Sequence, residues 1–205
     1  MRSGIAIGLA FACFGAARVA AAEEHAPRRF DAAVSVGYSS GSVLDVPGFT
    51  FVELDAAYHL TPRWSVGPYA EVGFIDTTVQ RQEGLETFLG HHYRFGGQTL
   101  VQLFPRQVID PWLGMGLGYA ALGVDVHSTS EREVPVRNLT YSETARGFEW
   151  LNLQCGLNLN LAHALALGGF ARLSVVEYLS QYPSAEAGRT TRAWLSGGVK
   201  GTLRF

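Results

Sequence analysis

Leu151-Asn152-Leu153-Gln154-Cys155-Gly156-Leu157-Asn158-Leu159-Asn160-Leu161 is the stretch whose reading decides the fold. Every odd position is apolar and every even position is Asn, Gln or Gly. Side chains alternate across a β-strand, whereas a helix brings positions three and four apart to one face. A strand here therefore has one hydrocarbon face and one amide face. A membrane-crossing strand needs about 9–11 tilted residues, and the alternation lasts for eleven. Soluble sandwiches alternate too, but usually in shorter strands.

The same period-2 pattern predicts seven more strands: 30–39, 49–60, 64–75, 88–103, 112–124, 165–178 and 191–205. Their apolar faces carry residues such as Val34, Leu54, Val72, Phe95, Leu117, Leu173 and Leu195. The opposite faces carry Glu53, Asp55, Glu71, Arg94, Arg172, Lys200 and Arg204. On the fifth strand the second face is nearly bare, with Gly114, Gly116 and Gly118 expected to make room for long arginines.

The connections alternate in length. Thr61–Arg63, Pro105–Asp110 and Ala162–Ala164 are short, and Ser40–Gly48, Asp76–Glu86, Asp125–Arg146 and Leu179–Thr190 are long. Short periplasmic turns and long outer loops are the layout of outer-membrane barrels. The count gives eight strands with both termini on the periplasmic side. Aromatic residues fall near strand ends, Phe30, Tyr58, Trp64 and Phe205 at one rim and Tyr38, Phe49, Phe74 and Phe148 at the other. Such girdles mark the two membrane interfaces.

Composition agrees. Charged residues are 17% of the chain and aromatics 12%, with 24 glycines and a net charge of −2. A nucleic-acid partner usually leaves a basic footprint, so none is expected. Residues 1–22 read as a secretory signal: Arg2, an uncharged run from Ile5 to Ala17, and the small-residue site Ala20-Ala21-Ala22. Residues 23–29 are then a short periplasmic segment and 30–205 the barrel. With Cys13 removed, Cys155 is the remaining cysteine, so no internal disulfide is expected. No cysteine–histidine ligand cluster appears, and neither a metal nor another cofactor is expected.

Hydrocarbon offers no partners to a strand edge, so a sheet spans a bilayer only when closed. The expected fold is all-β: an eight-stranded antiparallel up-and-down transmembrane barrel. Eight strands leave an interior that side chains just fill. Glu53, Asp55, Glu71, Arg94, Arg172 and Lys200 are the expected lumenal polar network, a plug rather than a pore.

The signal sequence, the eight alternating strands and the terminal Leu203-Arg204-Phe205 resemble the small outer-membrane barrels of the OmpA-like and OmpW-like families. The resemblance is architectural and covers residues 28–205. It implies a location in the outer membrane and contact with its lipids. It also implies that Phe205, with Leu203 and Val199 at alternating positions before it, is the assembly signal read by the barrel-insertion machinery. The peptidoglycan-binding domain of OmpA-type proteins is not expected here.

Three motifs compete with a purely structural reading. Gly37-Tyr38-Ser39-Ser40-Gly41 matches a nucleophile elbow, which requires a following helix; the pattern there remains that of a strand. His127 and Ser128 lie near the outer rim, where lipid A deacylases of this architecture hold a histidine and a serine, but Thr129 and Ser130 depart from that family's signature. His91 and His92 fall on opposite faces of a strand and make a poor metal pair. The expected role is therefore non-enzymatic: structural or interactive at the cell surface, with Asp125–Arg146 as a mobile loop for an extracellular ligand. A narrow channel, as the OmpW-like resemblance implies, and a lipid A-modifying hydrolase are the alternatives.

Overall fold

A computed structural model of the protein describes residues 29–43, 46–81, 84–105, 107–130, 137–180 and 189–205. The expected signal sequence and most of segment 23–29 lie outside them. The chain forms eight strands: β1 (Phe30–Val43), β2 (Val46–His59), β3 (Trp64–Arg81), β4 (Gly84–Gln102), β5 (Ile109–Ser130), β6 (Arg137–Ala162), β7 (Leu165–Ser180) and β8 (Arg189–Arg204). Each pairs antiparallel with its neighbours in sequence, and β8 pairs with β1 to close the barrel. No helix among the described residues is long and apolar enough to cross a membrane; the strands cross it.

The alternation dictates which side faces lipid. Leu54, Phe95, Leu117, Leu195 and Val199 are exposed outward, while Glu53, Arg94, Asn152 and Arg172 are buried inward. Following the register from Ser35 through Glu53, Glu71, Arg94, Ala120, Gly147 and Tyr178 arrives at Thr190, yet the direct partner of Ser35 on β8 is Lys200. That ten-residue stagger obliges the strands to tilt, by about 40° in small barrels. The last residue completes the closure: the Phe205 N–H donates to the Phe30 carbonyl at 2.8 Å, and the Arg29 N–H donates to the Phe205 carbonyl at 3.0 Å.

Four expectations need correction. The long connections are shorter than expected, because strand pairing continues through them. The β3–β4 ladder runs to Arg81–Gly84 and the β5–β6 ladder to Ser130–Arg137. Most of the expected mobile loop Asp125–Arg146 is thus a β-ribbon, and only 131–136 lies outside the described residues. Second, Phe49 is not part of the outer girdle. It shares the parity of Phe51 and is buried in the lumen. Third, the glycine face of β5 does not shelter an arginine at Gly118: the Tyr69 hydroxyl fills that space, 2.5 Å from where a Cβ would stand. Fourth, the bare stretch is short. Beyond it Ala120, Leu122, Val124 and Val126 line the lumen.

Strand β6 also carries a bulge. Gly116 pairs with Asn152 and Gly118 with Glu149, so Trp150 and Leu151 together stand opposite Leu117. One extra residue on a single strand reverses the parity beyond it. Trp150 faces lipid and Glu149 turns inward, fully buried.

Candidate functional site

The lumen is divided across its height. Its centre is ionic. Arg94 on β4 donates through Nη2 to Glu53 Oε2 (2.9 Å) and Glu71 Oε2 (3.1 Å), and through Nη1 to Glu149 Oε1 (2.9 Å) and Ser174 Oγ (2.5 Å). Arg172 on β7 donates through Nη1 to Glu53 and through Nη2 to Glu71. Its guanidinium lies 4.9 Å from the Phe51 ring centroid, and that of Arg94 lies 5.2 Å from the ring of Tyr69. The Tyr69 hydroxyl donates to Glu149 Oε2. His92 adds a ring nitrogen 3.4 Å from Glu71 Oε1.

Three carboxylates therefore share two guanidiniums, all nearly inaccessible to solvent. Charges taken out of water are tolerated when paired and hydrogen-bonded. The planar fork of arginine suits this role because it bridges two carboxylates at once. Arg94 and Arg172 each bridge Glu53 and Glu71, so neither carboxylate depends on a single cation.

Asp55 and Lys200 form a second centre toward the periplasmic end. Lys200 Nζ lies 2.9 Å from Asp55 Oδ2 and 5.2 Å from the Trp112 ring centroid. Gln154 donates to Gln98 at 2.8 Å, and Arg204 to Asn160 at 2.7 Å. The six residues expected as one polar network thus fall into two groups: Glu53, Glu71, Arg94 and Arg172 in the first, Asp55 and Lys200 in the second.

Toward the outer end the lumen is apolar. Val46, Phe49, Ile75, Phe88, Leu122, Val124, Val126, Val176, Tyr178 and Trp194 belong to one buried cluster. Trp194 meets Phe49 edge-on at 5.0 Å, and its indole N–H donates to the Tyr178 hydroxyl at 3.0 Å. The indole polar group is therefore satisfied within the plug.

Sequence reasoning missed Glu149, because unbroken alternation from Leu151 assigns it to the lipid face. The available signal was the charge itself. A glutamate between Phe148 and Trp150 at membrane depth is expensive on the lipid side, so its presence there implies a parity change. His92 was assigned to the face opposite His91, and it is buried while His91 is exposed. Ser39 of the elbow-like motif is a strand residue in the lumen, accepting a hydrogen bond from Ser196 at 2.9 Å. His127 Nδ1 lies 3.1 Å from Thr140 Oγ1; the side chain of Ser128 lies outside the described residues. Phe205, Leu203 and Val199 stand on the outer face of β8 and its end, with Phe205 and Val199 strongly exposed. No group of three metal-ligating side chains occurs among the described residues.

The crystal structure of Neisserial surface protein A is similar in fold, with a TM-score of 0.55 at 9% identity over 86% of this chain and 97% of that one. The outer-membrane protease OmpT from Escherichia coli aligns with a TM-score of 0.49 at 8% identity, over 89% of this chain and 99% of that one. Ail, the attachment invasion locus protein of Yersinia pestis, aligns with a TM-score of 0.47 at 12% identity, over 86% and 99%. At 9% identity the likeness to Neisserial surface protein A speaks to fold alone. No curated protein matches the sequence. The model of the outer membrane protein β-barrel domain matches residues 9–188. A closed eight-stranded barrel with a hydrocarbon exterior and an ion-paired interior agrees with that match, and the chain belongs to the outer membrane protein β-barrel domain family and resides in the outer membrane.

Proposed function

We propose that this protein is a non-conducting, non-enzymatic barrel that works at the cell surface through the sheet it raises above the membrane. The observation that carries the reading is the filled lumen. The ionic centre and the apolar plug occupy successive levels of one narrow interior, so a solute would have to break buried ion pairs and then cross a dry aromatic layer. Both are costly.

The outer ends of β3 to β6 supply the working surface. Their mutual pairing continues past Thr50–Phe74, the outermost pair of β2 with β3, and past Ala145–Ser180, the outermost pair of β6 with β7 among the described residues. From Phe148 in the girdle to Arg137 at the outer end of β6 is eleven residues, about 35 Å along the strand. The outward face of this sheet carries the exposed Leu85 and Leu89 and is cross-linked by polar pairs: Thr78 with Thr87 at 3.2 Å, His127 with Thr140 at 3.1 Å, and Ser142 donating to Asp125 at 2.5 Å. Among the described residues nothing pairs with β3 beyond Phe74 on its β2 side. An edge of this kind presents backbone donors and acceptors that suit an extended segment of another protein.

Reconstitution in planar bilayers tests the reading against the channel alternative. No steady unitary current is expected, and regular conductance steps would refute it. Expression in a host with known lipid A tests the hydrolase alternative: an unchanged lipid A mass is expected, and loss of an acyl chain would overturn the non-enzymatic reading.

A further inference from the structure

The outer wall of the barrel has a dent that the lumen does not explain. A cleft of about 280 Å³ opens between β4, β5 and β6, lined by His91, Tyr93, Gly123, Asp125, Ser142 and Thr144. Cross-strand register explains it. On the outward face His91 stands beside Gly123, and Gly123 beside Thr144. Gly123 provides no side chain where its neighbours do, and a Cβ built there meets nothing within 4 Å. The floor is thus missing one residue's volume.

Its height is fixed by the girdle below. Two positions inward along the strands, Tyr93, Ala121 and Arg146 form the next outward row, and Phe95, Tyr119 and Phe148 the one after. Aromatic rows of this kind sit at the membrane interface. The cleft is therefore at the level of outer-leaflet headgroups, on the side facing lipid, with apolar residues beneath it for acyl chains.

The lining chemistry suits a sugar. His91 and Tyr93 are stacked, with ring centroids 6.2 Å apart and planes 18° apart, and His91 also meets Phe74 edge-on at 6.0 Å. Such a platform packs against the apolar face of a pyranose. Ser142 uses its proton on Asp125 Oδ1 at 2.5 Å, which leaves carboxylate lone pairs free to accept from sugar hydroxyls. Glu143 has the lumenal parity on β6 and still borders the cleft, beside Asp125. Arg146, one outward position below Thr144, is exposed. A guanidinium at that depth is suited to a phosphate.

We infer that this cleft is a binding site for a phosphorylated glycolipid of the outer leaflet, with its sugar in the dent and its phosphate on Arg146. The full-length barrel, purified in detergent, is titrated by native mass spectrometry with bisphosphorylated lipid A, its dephosphorylated form, phosphatidylglycerol and soluble glucosamine 6-phosphate. Lipid A is expected to bind about tenfold more tightly than phosphatidylglycerol, and the soluble sugar phosphate more weakly than either lipid. Gly123→Leu fills the dent without a backbone clash. It is expected to abolish the preference for lipid A while leaving the gel mobility shift on boiling intact. Arg146→Ala is expected to remove the advantage of the phosphorylated over the dephosphorylated glycolipid and to keep the advantage of sugar over glycerol. Equal binding of lipid A and phosphatidylglycerol by the wild type overturns the site. So does an unchanged preference in Gly123→Leu, and soluble sugar phosphate binding as tightly as lipid A would show that the site does not depend on a lipid.

Discussion

Replacing Arg172 with leucine tests whether the central cluster holds the barrel together. Arg172 donates to Glu53 and Glu71, lies near Ser196 at 3.5 Å and covers the Phe51 ring. Its side chain is 1% accessible. Leucine cannot donate, so Glu53, Glu71 and Glu149 would be left with Arg94 alone. The excess of one negative charge among these five groups would become two. Removing one partner from a buried pair costs about 3–5 kcal/mol. Arg94 still bridges Glu53 and Glu71 at 2.9 and 3.1 Å, which places the expected loss near the lower end of that range. The control is Arg189→Leu, whose side chain is 77% exposed and 3.5 Å from Glu177. An exposed pair of that kind contributes less than about 1 kcal/mol. Reversible urea unfolding in lipid vesicles, followed by tryptophan fluorescence, measures both. Glu71→Gln combined with Arg172→Leu removes one negative charge and should recover part of the loss, as coupled neighbours do in a double-mutant cycle. Equal midpoints for the Arg172 and Arg189 variants would refute the view that the lumen is an ion-paired core.

The folded barrel should migrate differently on detergent gels before and after boiling, because its backbone hydrogen bonds close on themselves; equal mobility with a helical circular dichroism spectrum would contradict the fold. Tyr69→Phe should destabilise the barrel by about 1–3 kcal/mol, since Glu149 loses a donor in a buried site, and the same urea titration measures it. Trypsin added to intact cells should cut after Arg132 or Arg137 and spare Arg146, which is paired to Ala121 and Leu179 on its two sides. Cleavage that requires opening the outer membrane would invert the assigned topology. Phe205→Ala should lower the yield of assembled barrel in cells, read as the fraction of heat-modifiable protein; unchanged yield would remove Phe205 from the assembly signal.

The transmembrane part was legible because lipid imposes the period-2 pattern on every strand. Leu151 to Leu161 needs no tertiary information to be read, and parity alone placed Glu53, Arg94 and Arg172 inward. Legibility failed where that pressure ends. Above the girdle the outward face meets water instead of lipid, so Thr78, Thr87, His127 and Thr140 look like loop residues although they stand in cross-strand contact. Nothing in their composition records that β3 to β6 continue pairing. The bulge at Trp150 failed for a different reason. It is a one-residue insertion that conserves apolar character on the lipid side, with Phe148 and Trp150 both exposed, so hydropathy stays smooth while the parity of Glu149 reverses. Pairings within the lumen were also beyond the sequence. Parity gives the face but not the height, and Lys200 went to Asp55 because the stagger of closure sets it below the level of Glu53 and Glu71.

Burying five charged groups is not the most stable way to fill a lumen, since well-packed apolar side chains of similar volume often do as well or better. The arrangement is explained by register. Glu53, Glu71, Arg94, Glu149 and Arg172 come from β2, β3, β4, β6 and β7, so the cluster forms only when five strands are simultaneously aligned. A slip of one residue exchanges the faces of a strand and would turn its charge outward onto lipid, where the cost for arginine rises from about 0–1 kcal/mol near the interface to about 2–4 kcal/mol at the midplane. An apolar lumen imposes no such penalty, because leucine is equally at home in lipid. The upper plug is apolar where the barrel rises out of the membrane, and there water enforces the same discrimination: a slipped strand would expose Phe88 or Leu122 to solvent. The charged centre is thus filled with chemistry that lipid rejects and the outer plug with chemistry that water rejects, while Phe51, Trp112 and Phe170 pack among the charges of the lower lumen.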